Sequence, residues 1–373
     1  MARIAFIVTE DWFFASHFLP MARAARELGL AVDVVTRVRD HAAAIEEAGA
    51  RVVPLEAERR SLNPMAAGDA AGRTAATLKA LRPDLVHCIA LRSILVGGAA
   101  CLLAGIPRRV YAPTGLGYLG ARPDLVGRAG RAALRGLVAA VSTSQTRFLL
   151  ENQEDGRGLN LDPGRITLVG GAGIDPDRFT PAPLPSGPPL RVAVVSRMLW
   201  SKGIDLAVEA VGLARAQGAE VTLDLYGAPD PSNPRAIPET TLRSWAERPG
   251  IAWHGRTTDP AGAYAAAHLA CLPSRGGEGL PRTLLEAAAC GRAILTTDVS
   301  GCRRLVRDGQ EGVVVQPDDA PALAAALVAL ARDPARRATL GAAARARVLD
   351  GFTERAVMDA VKGVYAAMLA EGP

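Results

Sequence analysis

Short apolar runs alternate along the whole chain with segments in which apolar residues recur every three or four positions. The runs are typical of strands buried on both faces of a parallel sheet. In the first half we predict strands at residues 3–8, 31–37, 50–55, 83–90, 108–114, 136–144 and 166–173. The segments between them predict helices, among them 17–28 and 41–48. Repeated β-α-β units imply a parallel sheet with helices on both faces.

The same pattern restarts after the stretch "TPAPLPSGPPL", residues 180–190, which contains five prolines and a glycine. Such a composition predicts a linker. Beyond it we predict strands at residues 191–197, 220–227, 250–255, 269–274, 292–298 and 312–317. Helices are predicted between them, including 203–216 and 281–290. The second half is therefore expected to form another doubly wound parallel sheet.

A chain of 373 residues is long enough for two domains. We predict an α/β protein with a Rossmann-like domain at 1–180, a proline-rich linker at 181–190 and a second Rossmann-like domain at 191–350. Residues 351–373 form an amphipathic pattern, which predicts a terminal helix that packs back on the first domain. Ligands of such folds bind at the carboxyl ends of the strands, so the cleft between the two facing domains is the expected site.

The cysteines are scattered and form no CxxC pair. They are Cys88, Cys101, Cys271, Cys290 and Cys302. This distribution indicates reduced thiols in the cytosol and no metal site of Cys/His type. The start "MARIAFIV" does not look like a signal peptide, and no run reaches the roughly 18 apolar residues of a membrane span. We therefore expect a cytoplasmic protein without a bound metal.

The formal net charge is +5, and one stretch concentrates basic residues. From Arg108 to Arg147 there are seven arginines and a single acid. Arg128, Arg131 and Arg135 share one helical face. This face is either a solvated surface or a contact with an anionic membrane or a phosphate-bearing substrate. The excess is mild and no nucleic-acid-binding motif accompanies it, so nucleic acid is not an expected partner.

The stretch "SRGGEGLPRTLLEAAACG" combines a glycine-rich turn, a proline and two carboxylates, Glu278 and Glu286. Pro281 suits the first position of a helix, and the glycines let a ligand approach the backbone. The free amides of such a helix start form an anion site. A nucleoside diphosphate there could place a sugar beside Glu278 and a ribose beside Glu286. The alternative is a helix with an incidental surface glutamate.

Lysine is rare in this chain, which has 40 arginines and three lysines. Lys202 lies in "SRMLWSKGI", five residues after Arg197, following one buried strand and preceding a helix. Together these two cations could neutralise a diphosphate leaving group. The alternative is a pair of surface cations in a loop. The spacing is not that of a GxxxxGK[ST] phosphate loop.

These motifs closely resemble the family 4 glycosyltransferases, which have the two-domain GT-B fold. The resemblance covers nearly all of the C-terminal half, from "SRMLWSKG" and "GAPDPSNPRAIP" to "HGRTTDPAGAYAAAHLACLPSRGGEGLPRTLLEAAACGRAILTTDVSGCRRLVRDGQEGVVV". The N-terminal half matches more loosely. Its segments "DWFFASHFLPMARAARELG" and "HCIALRSILVGGAACLLAGIPRRVYAPTGLGYL" are similar to bacterial members that build capsule, O-antigen and lipid-linked oligosaccharide chains.

The resemblance implies a retaining transfer from a nucleotide sugar without a bound metal. Lys202 and Arg197 would hold the diphosphate and Glu286 the ribose, while Glu278 would contact the donor sugar and stabilise positive charge at its anomeric carbon. The implied donor-binding set is Arg197, Lys202, Gly255, Arg256, Gly277, Glu278, Gly279, Leu280 and Glu286. The implied catalytic set is Glu278, Lys202, Arg197 and His17.

The acceptor side is implied by fewer residues, namely His17, Arg92, Gly115, Gly117 and Tyr118. Two interpretations of His17 are open: a structural role, or a side chain that faces the cleft from the first helix. Arg92 stands where many relatives have lysine, and both cations can hold a phosphate with different geometry. The glycines around Tyr118 suggest an acceptor-facing loop, although a glycine-rich turn alone is weakly specific.

The resemblance therefore implies transfer of a hexose or N-acetylhexosamine, with UDP as the expected nucleotide, to a lipid-linked saccharide. Such an enzyme would be peripheral at the inner face of the cytoplasmic membrane, as part of bacterial surface polysaccharide assembly. A soluble acceptor is the first alternative. A nucleotide-sugar epimerase is disfavoured by the pair Glu278 and Glu286. A non-catalytic binding protein is disfavoured by the intact set formed by that pair with Arg197 and Lys202.

Overall fold

The structure is a computed structural model that describes residues 1–55, 64–116, 124–230, 233–277 and 279–371. The chain divides into two compact units. The first unit comprises Met1–Gly173 together with Glu354–Pro373, and the second comprises Ile174–Thr353. Each unit contains one parallel β-sheet covered by helices, as the alternating sequence pattern predicts.

The first unit contains a seven-stranded parallel sheet in the order β3-β2-β1-β4-β5-β6-β7. Its strands are β1 (Arg3–Glu10), β2 (Ala31–Arg37), β3 (Arg51–Pro54), β4 (Leu85–Ile89), β5 (Arg109–Ala112), β6 (Thr146–Leu150) and β7 (Ile166–Leu168). The helices that the structure describes before residue 174 are α1 (Asp11–His17), α2 (Leu19–Glu27), α3 (Ala42–Glu47), α4 (Pro64–Leu81), α5 (Leu91–Ala104), α6 (Leu125–Ala140) and α7 (Gln153–Gly158). A 3-10 turn, Pro163–Arg165, precedes β7.

Strand β1 shows why the apolar runs of this unit are continuous. Successive side chains of a strand point to opposite faces of the sheet. Ile4 and Phe6 therefore join the hydrophobic core on one face, and Ala5 and Ile7 join the core on the other face. All four side chains are at least 95% buried. Both faces of the sheet are covered, which leaves no polar position in the middle of the strand.

The second unit contains a six-stranded parallel sheet in the order β10-β9-β8-β11-β12-β13. Its strands are β8 (Leu190–Val195), β9 (Val221–Tyr226), β10 (Ile251–Gly255), β11 (Leu269–Leu272), β12 (Ala293–Thr297) and β13 (Gly312–Val315). Its helices are α8 (Ile204–Ala216), α9 (Glu239–Ala246), α10 (Pro260–Ala265), α11 (Arg282–Ala289), α12 (Ser300–Leu305), α13 (Ala320–Arg332) and α14 (Pro334–Leu349). The strand order reverses between β8 and β11, and ligands of doubly wound sheets bind at such a switch point.

The last helix, α15 (Glu354–Ala370), belongs to the first unit. Its buried stripe includes Val361 and Tyr365, which join the core formed by β1 and α2. The Tyr365 hydroxyl lies 2.7 Å from Nδ1 of His87 in β4. Burial lowers the pKa of His87 to about 3. The imidazole is therefore neutral, and its Nδ1 can accept a hydrogen bond from the Tyr365 hydroxyl.

The sequence predicts that the units divide at the proline-rich segment 181–190. In the structure they divide between Gly173 and Ile174. The proline-rich segment packs on the second unit instead. Arg292 donates from Nη2 to the Ala182 carbonyl at 2.8 Å, and His268 donates from Nε2 to the Pro185 carbonyl at 2.9 Å. Prolines lack an N–H group but keep their carbonyls. Side chains can therefore bind such a segment without the hydrogen bonds of a β-sheet.

The strand predicted at 136–144 is wrong, because most of that segment is the end of helix α6. Asp124 caps this helix and accepts the Gly127 N–H at 2.9 Å. Leu134 and Val138 are buried one turn apart, which is a helical spacing. The strand at this position of the sheet is β6, further along the chain.

The segment 17–28 is predicted as one helix. In the structure it contains the end of one helix and the whole of the next, which meet at Phe18. The first, α1, begins immediately after β1 at Asp11 and ends at His17. Pro20 lies in the first turn of the second, where its missing N–H leaves no intrahelical hydrogen bond unmade. His17 therefore ends a helix, whereas the sequence pattern placed it at the beginning of one.

We predict that Tyr365→Phe destabilises the first unit. The substitution leaves the buried Nδ1 of His87 without its partner, and an unsatisfied buried polar group costs about 1–3 kcal/mol. Urea unfolding followed by circular dichroism measures this loss. Arg355→Ala on the same helix is the control, because Arg355 is 66% exposed in its ion pairs and such pairs contribute little. Equal stabilities of Tyr365→Phe and wild type would contradict a structural role for this hydrogen bond.

Candidate functional site

The loop after β8 carries both predicted cations. Arg197 is exposed, and its Nη1 lies 3.7 Å from Oδ2 of Asp230. Lys202 is half-buried at the end of a 3-10 turn, Trp200–Lys202, that leads into α8. The Met198 N–H donates to the Ala228 carbonyl at 3.2 Å, which ties this loop to the loop after β9. The cations are therefore presented by backbone that is itself hydrogen-bonded.

The glycine-rich turn follows β11, the strand next to β8. Gly276 and Gly277 have φ values of 113° and 77°, in the region that favours glycine. Pro281 is the N-cap residue of α11, not its first helical residue as predicted, and the helix begins at Arg282. The aligned N–H groups of this first turn give the helix end a partial positive charge. Glu278 lies outside the described residues.

These two loops touch each other at the switch point of the sheet. Gly203 has a φ of 68°, and a Cβ atom on it would lie 1.9 Å from the carbonyl oxygen of Pro273. The N–H of Arg275 donates to the Ser201 carbonyl at 2.9 Å. Only glycine permits the first of these approaches. The contact brings the backbone of Lys202 next to the strand end that begins the glycine-rich turn.

The side chain of Arg275, which no sequence motif marks, joins the same loops. Its Nη1 and Nη2 donate to Oδ1 and Oδ2 of Asp205, at the start of α8, at 2.7 and 2.8 Å. In a chain with 40 arginines one more arginine after a strand is not distinctive. The separation of 70 residues between the partners gives no local signal either.

Glu286 lies in α11 with a side chain that is 12% exposed. Its Oε1 accepts from Nε of Arg282 at 3.0 Å. Burial raises the pKa of Glu286, and the charges of Arg282 and Arg178 partly offset this rise. A nearly buried carboxylate with one bound arginine can still accept hydrogen bonds from the vicinal hydroxyls of a ligand.

The ends of β9 and β10 complete this edge of the sheet. The Gly227 N–H donates to the Gly255 carbonyl at 2.6 Å, and Nε1 of Trp253 donates to the Gly227 carbonyl at 2.8 Å. Arg256 follows Gly255 and is exposed. These residues lie on the side of β8 opposite to the glycine-rich turn. Gly255 and Arg256 are therefore separated from Glu286 by the ends of β9, β8 and β11.

The described residues that are predicted to bind the donor all lie on the second unit, at or just after the carboxyl ends of β8, β10 and β11. They are Arg197, Lys202, Gly255, Arg256, Gly277, Gly279, Leu280 and, inside α11, Glu286. The arrangement offers cations, backbone amides and a carboxylate that can bind hydroxyl groups. Within the part of the chain that the structure describes, no three His, Cys, Asp or Glu side chains are grouped to hold a metal ion.

The described acceptor residues of the sequence analysis lie on the first unit, near the carboxyl ends of β1, β4 and β5. His17 ends α1, and its Nδ1 lies 2.6 Å from the Ser16 hydroxyl. Arg92 lies in the first turn of α5 and lines a cavity of about 30 Å³ together with Thr9. Gly115 follows β5 with a φ of 93°. Two further predicted residues, Gly117 and Tyr118, lie outside the described residues.

Two buried acids at the end of β1 were also missed by sequence reasoning. Glu10 pairs with Nη2 of Arg37 at 2.7 Å. Asp11 accepts the N–H groups of Arg39 and His41 at 2.6 and 3.0 Å. Burial alone would raise the pKa of Asp11, but these backbone donors outweigh it and lower the pKa. Both acids anchor the loop after β2, and the available signal was two acids directly after a buried strand.

Comparison with protein families divides the chain as the fold does. Residues 189–333 match the family described as glycosyl transferases group 1, and residues 3–144 match the family described as glycosyl transferase 4-like. Among curated proteins, the N,N'-diacetylbacillosaminyl-diphospho-undecaprenol alpha-1,3-N-acetylgalactosaminyltransferase of Campylobacter jejuni is 26% identical over 345 residues. That alignment spans 87% of this chain and 88% of the relative.

Solved structures share the fold over the whole chain. Sucrose-phosphate synthase from Thermosynechococcus elongatus superposes with a TM-score of 0.81 at 21% identity and covers 100% of both chains. HepE from Anabaena, solved in complex with UDP, has a TM-score of 0.78 at 17% identity and covers 98% of this chain and 100% of its own. This likeness confirms the expected GT-B fold.

The fold and the family matches together define the chain as an enzyme that transfers sugars. It is a glycosyltransferase with the GT-B fold, whose two halves each match a glycosyltransferase family, as the motifs around Lys202 and Glu286 indicated. Among the helices that the structure describes, none combines the length and the apolar character required to cross a bilayer.

We predict that Glu286→Gln gains stability relative to wild type as the pH rises. Burial raises the pKa of Glu286, so the wild type loses stability as the pH rises through this folded-state pKa, whereas the amide does not titrate. Thermal unfolding at pH 4.5 and 7.5 measures the difference. Glu239→Gln is the control, since Glu239 also pairs with an arginine four residues on but is exposed. If the stability of Glu286→Gln relative to wild type is lower at pH 7.5 than at pH 4.5, the burial argument is contradicted.

Proposed function

We propose that the second unit binds a nucleotide sugar, with UDP as the nucleotide, and that the enzyme is a retaining glycosyltransferase. The observation that carries this proposal is the meeting of the loop of Arg197 and Lys202 with the glycine-rich turn at the switch point between β8 and β11. It places two cations and a helix start at one strand edge, which is the chemistry that a diphosphate requires. UDP is supported by the complex of the structural neighbour HepE.

In the proposed donor complex Arg197 and Lys202 neutralise the diphosphate, assisted by the amides of Gly279 and Leu280. Glu286 accepts the ribose hydroxyls. Glu278 contacts the donor sugar and stabilises the positive charge that develops at its anomeric carbon. The two cations supply the charge that a metal ion supplies elsewhere, so we propose a metal-independent reaction. Gly255 and Arg256 flank the base.

In the proposed reaction the bond from the anomeric carbon to the diphosphate oxygen breaks, and its electron pair remains on UDP. The acceptor hydroxyl oxygen forms the new glycosidic bond on the same face of the sugar, and its proton passes to the departing diphosphate oxygen. Stabilising the departing diphosphate lowers the barrier only if the interaction is stronger in the transition state than in the bound donor. We therefore assign Lys202 mainly to turnover and Glu286 mainly to donor binding. His17, Arg92 and the loop of Gly115 are assigned to the acceptor.

The proposed acceptor is a lipid-linked saccharide used in bacterial surface glycan assembly. The relative from Campylobacter jejuni supports this, because its name describes a diphospho-undecaprenol substrate. A polyprenyl carrier stays in a membrane, so an enzyme that uses it must reach the membrane surface. We propose that the protein is peripheral at the inner face of the cytoplasmic membrane.

Helix α6 supports this location. Leu125, Val126 and Leu137 are 77%, 59% and 52% exposed. Arg128 and Arg135 lie among them and are also exposed, and the helix itself contains no acid. Exposed apolar side chains beside arginines are typical of helices that lie in the interface of an anionic membrane.

We predict that Glu286→Ala abolishes stabilisation by UDP, whereas Lys202→Ala mainly lowers kcat. Thermal shift without added metal, with UDP, GDP, ADP and dTDP, measures the first effect. A ligand at a hundredfold excess over its Kd adds about 2.7 kcal/mol of stability to a protein that binds it. Loss of one electrostatic contact in the transition state typically lowers the rate about 10²–10³-fold.

The nucleotide test has two clear outcomes. Stabilisation by one nucleotide that disappears in Glu286→Ala, but persists in the exposed control Glu239→Gln, supports the donor site and identifies the base. If no nucleotide stabilises the wild type, or if both alanine variants transfer sugar like wild type, the site assignment is wrong.

We predict that replacing Arg128, Arg131 and Arg135 by glutamate lowers binding to anionic vesicles. Co-sedimentation with vesicles of phosphatidylglycerol and phosphatidylethanolamine at low and physiological salt measures it. Each basic residue near such a surface contributes about 1 kcal/mol. Glutamate at three exposed arginines of the second unit is the matched control, namely Arg248, Arg332 and Arg336. Unchanged sedimentation of the α6 variant would exclude this membrane face and favour a soluble acceptor.

A further inference from the structure

Three loops at the carboxyl edge of the second sheet converge on one guanidinium, that of Arg275. In addition to the paired hydrogen bonds to Asp205, Nε donates to Oδ1 of Asp318 at 2.6 Å, and Nη1 donates to the Trp200 carbonyl at 2.6 Å. Asp205 follows β8, Arg275 follows β11 and Asp318 follows β13. One side chain therefore connects the ends of three strands.

The geometry requires an arginine. The planar guanidinium presents donors in two directions at once, so it can meet both oxygens of Asp205 and still reach Asp318. A lysine ammonium in the same place could not form the paired contact. The hydrogen bonds that Arg275 donates to Asp205 and then to Asp318 raise its pKa, so the group stays charged.

The charge of Arg275 is compensated within the protein, which distinguishes it from the donor-site cations. Two carboxylates surround it at 2.6–2.8 Å, and its side chain is 27% exposed. Arg197, in contrast, is 52% exposed, and its Nη1 lies 3.7 Å from Oδ2 of Asp230. A diphosphate would have to compete with Asp205 and Asp318 for Arg275. The side chain is thus suited to holding loops and not to holding the donor.

We propose that Arg275 is a positioning residue of the donor site, which sets the spacing between the loop of Lys202 and the glycine-rich turn. It acts through Asp205 and the Trp200 carbonyl, while its own N–H holds the Ser201 carbonyl. The inference rests on the proposed function of this edge of the sheet. It adds a residue that fixes where the cations and the helix amides stand relative to each other.

The contacts predict a graded set of effects. Arg275→Lys keeps the charge but loses the fork, and a misplacement of about 1 Å in an active site can lower activity about 10²-fold. Asp205→Asn weakens the same pair and should act similarly. Asp318→Asn should act more weakly, because the Asp318 side chain is 63% exposed and solvent screens its contact. The double variant Arg275→Lys/Asp205→Asn should be no worse than the worse single variant, since both changes break one interaction.

The experiment compares these variants with wild type and with Arg307→Lys. Arg307 forms the same kind of forked pair, with Glu311, but lies at the amino end of β13 and touches neither loop. Calorimetric titration with UDP measures the Kd, sugar transfer measures kcat and KM, and hydrogen exchange reports on residues 198–203 and 273–277. We expect a roughly ten- to hundredfold loss of kcat/KM and faster exchange in both segments for Arg275→Lys. Arg307→Lys should show neither effect.

The outcomes separate the two levels of inference. If wild type binds UDP and Arg275→Lys matches it in Kd, kcat/KM and exchange, the positioning role is wrong while the donor site stands. Additive losses in the double variant would also overturn the role, because Arg275 and Asp205 would then act independently. If wild type binds no nucleoside diphosphate, the proposed function fails first, and unchanged exchange in Arg275→Lys would still separately refute the link between the loops.

Discussion

The approach of Gly203 to the carbonyl oxygen of Pro273 is the constraint on which the candidate donor site depends. A Cβ atom would stand 1.9 Å from that oxygen, so a side chain at this position would force the two loops apart. The loop of Lys202 and the glycine-rich turn come from strands that are neighbours in the sheet but distant in sequence. Their contact places the cations and the backbone amides on the same side of the strand ends. Both Arg275 and the hydrogen bond from its N–H act on a spacing that this glycine permits.

Much of the fold was predictable because both sheets are parallel and covered on both faces. Strands such as β1 and β8 contain continuous apolar runs, and in the helices between them apolar residues recur every three or four positions. The predictions are wrong where the sequence pattern of a segment is typical of one kind of structure and the segment adopts another. The apolar run 136–144 looks like a strand, but Leu134 and Val138 are buried at helical spacing in α6. The proline-rich segment 181–190 looks like a linker, yet buried side chains such as Arg292 and His268 hold its carbonyls on the second unit.

The candidate site was predictable to the extent that its chemistry is local. Lys202 and Glu286 stand out by rarity and by context within a few residues of a strand end. Arg275 does not, because its partners Asp205 and Asp318 are 70 and 43 residues away and only the strand order brings them together. Asp11 was missed for a related reason, since its partners are backbone N–H groups that have no sequence signature. The residues proposed to bind the donor stand in local motifs, whereas residues that hold loops in place have little sequence signal.

Helix α15 has a consequence for the order in which the protein can be made. The chain builds the first sheet, then the whole second unit, and only then the helix that completes the core of the first unit. The contact between His87 and Tyr365 joins residues 278 positions apart. During synthesis the first unit therefore has an apolar face without its last helix until the ribosome has translated the second unit. The second unit is continuous in sequence and can fold as soon as it emerges, so the first part of the chain to be made is the last to be finished.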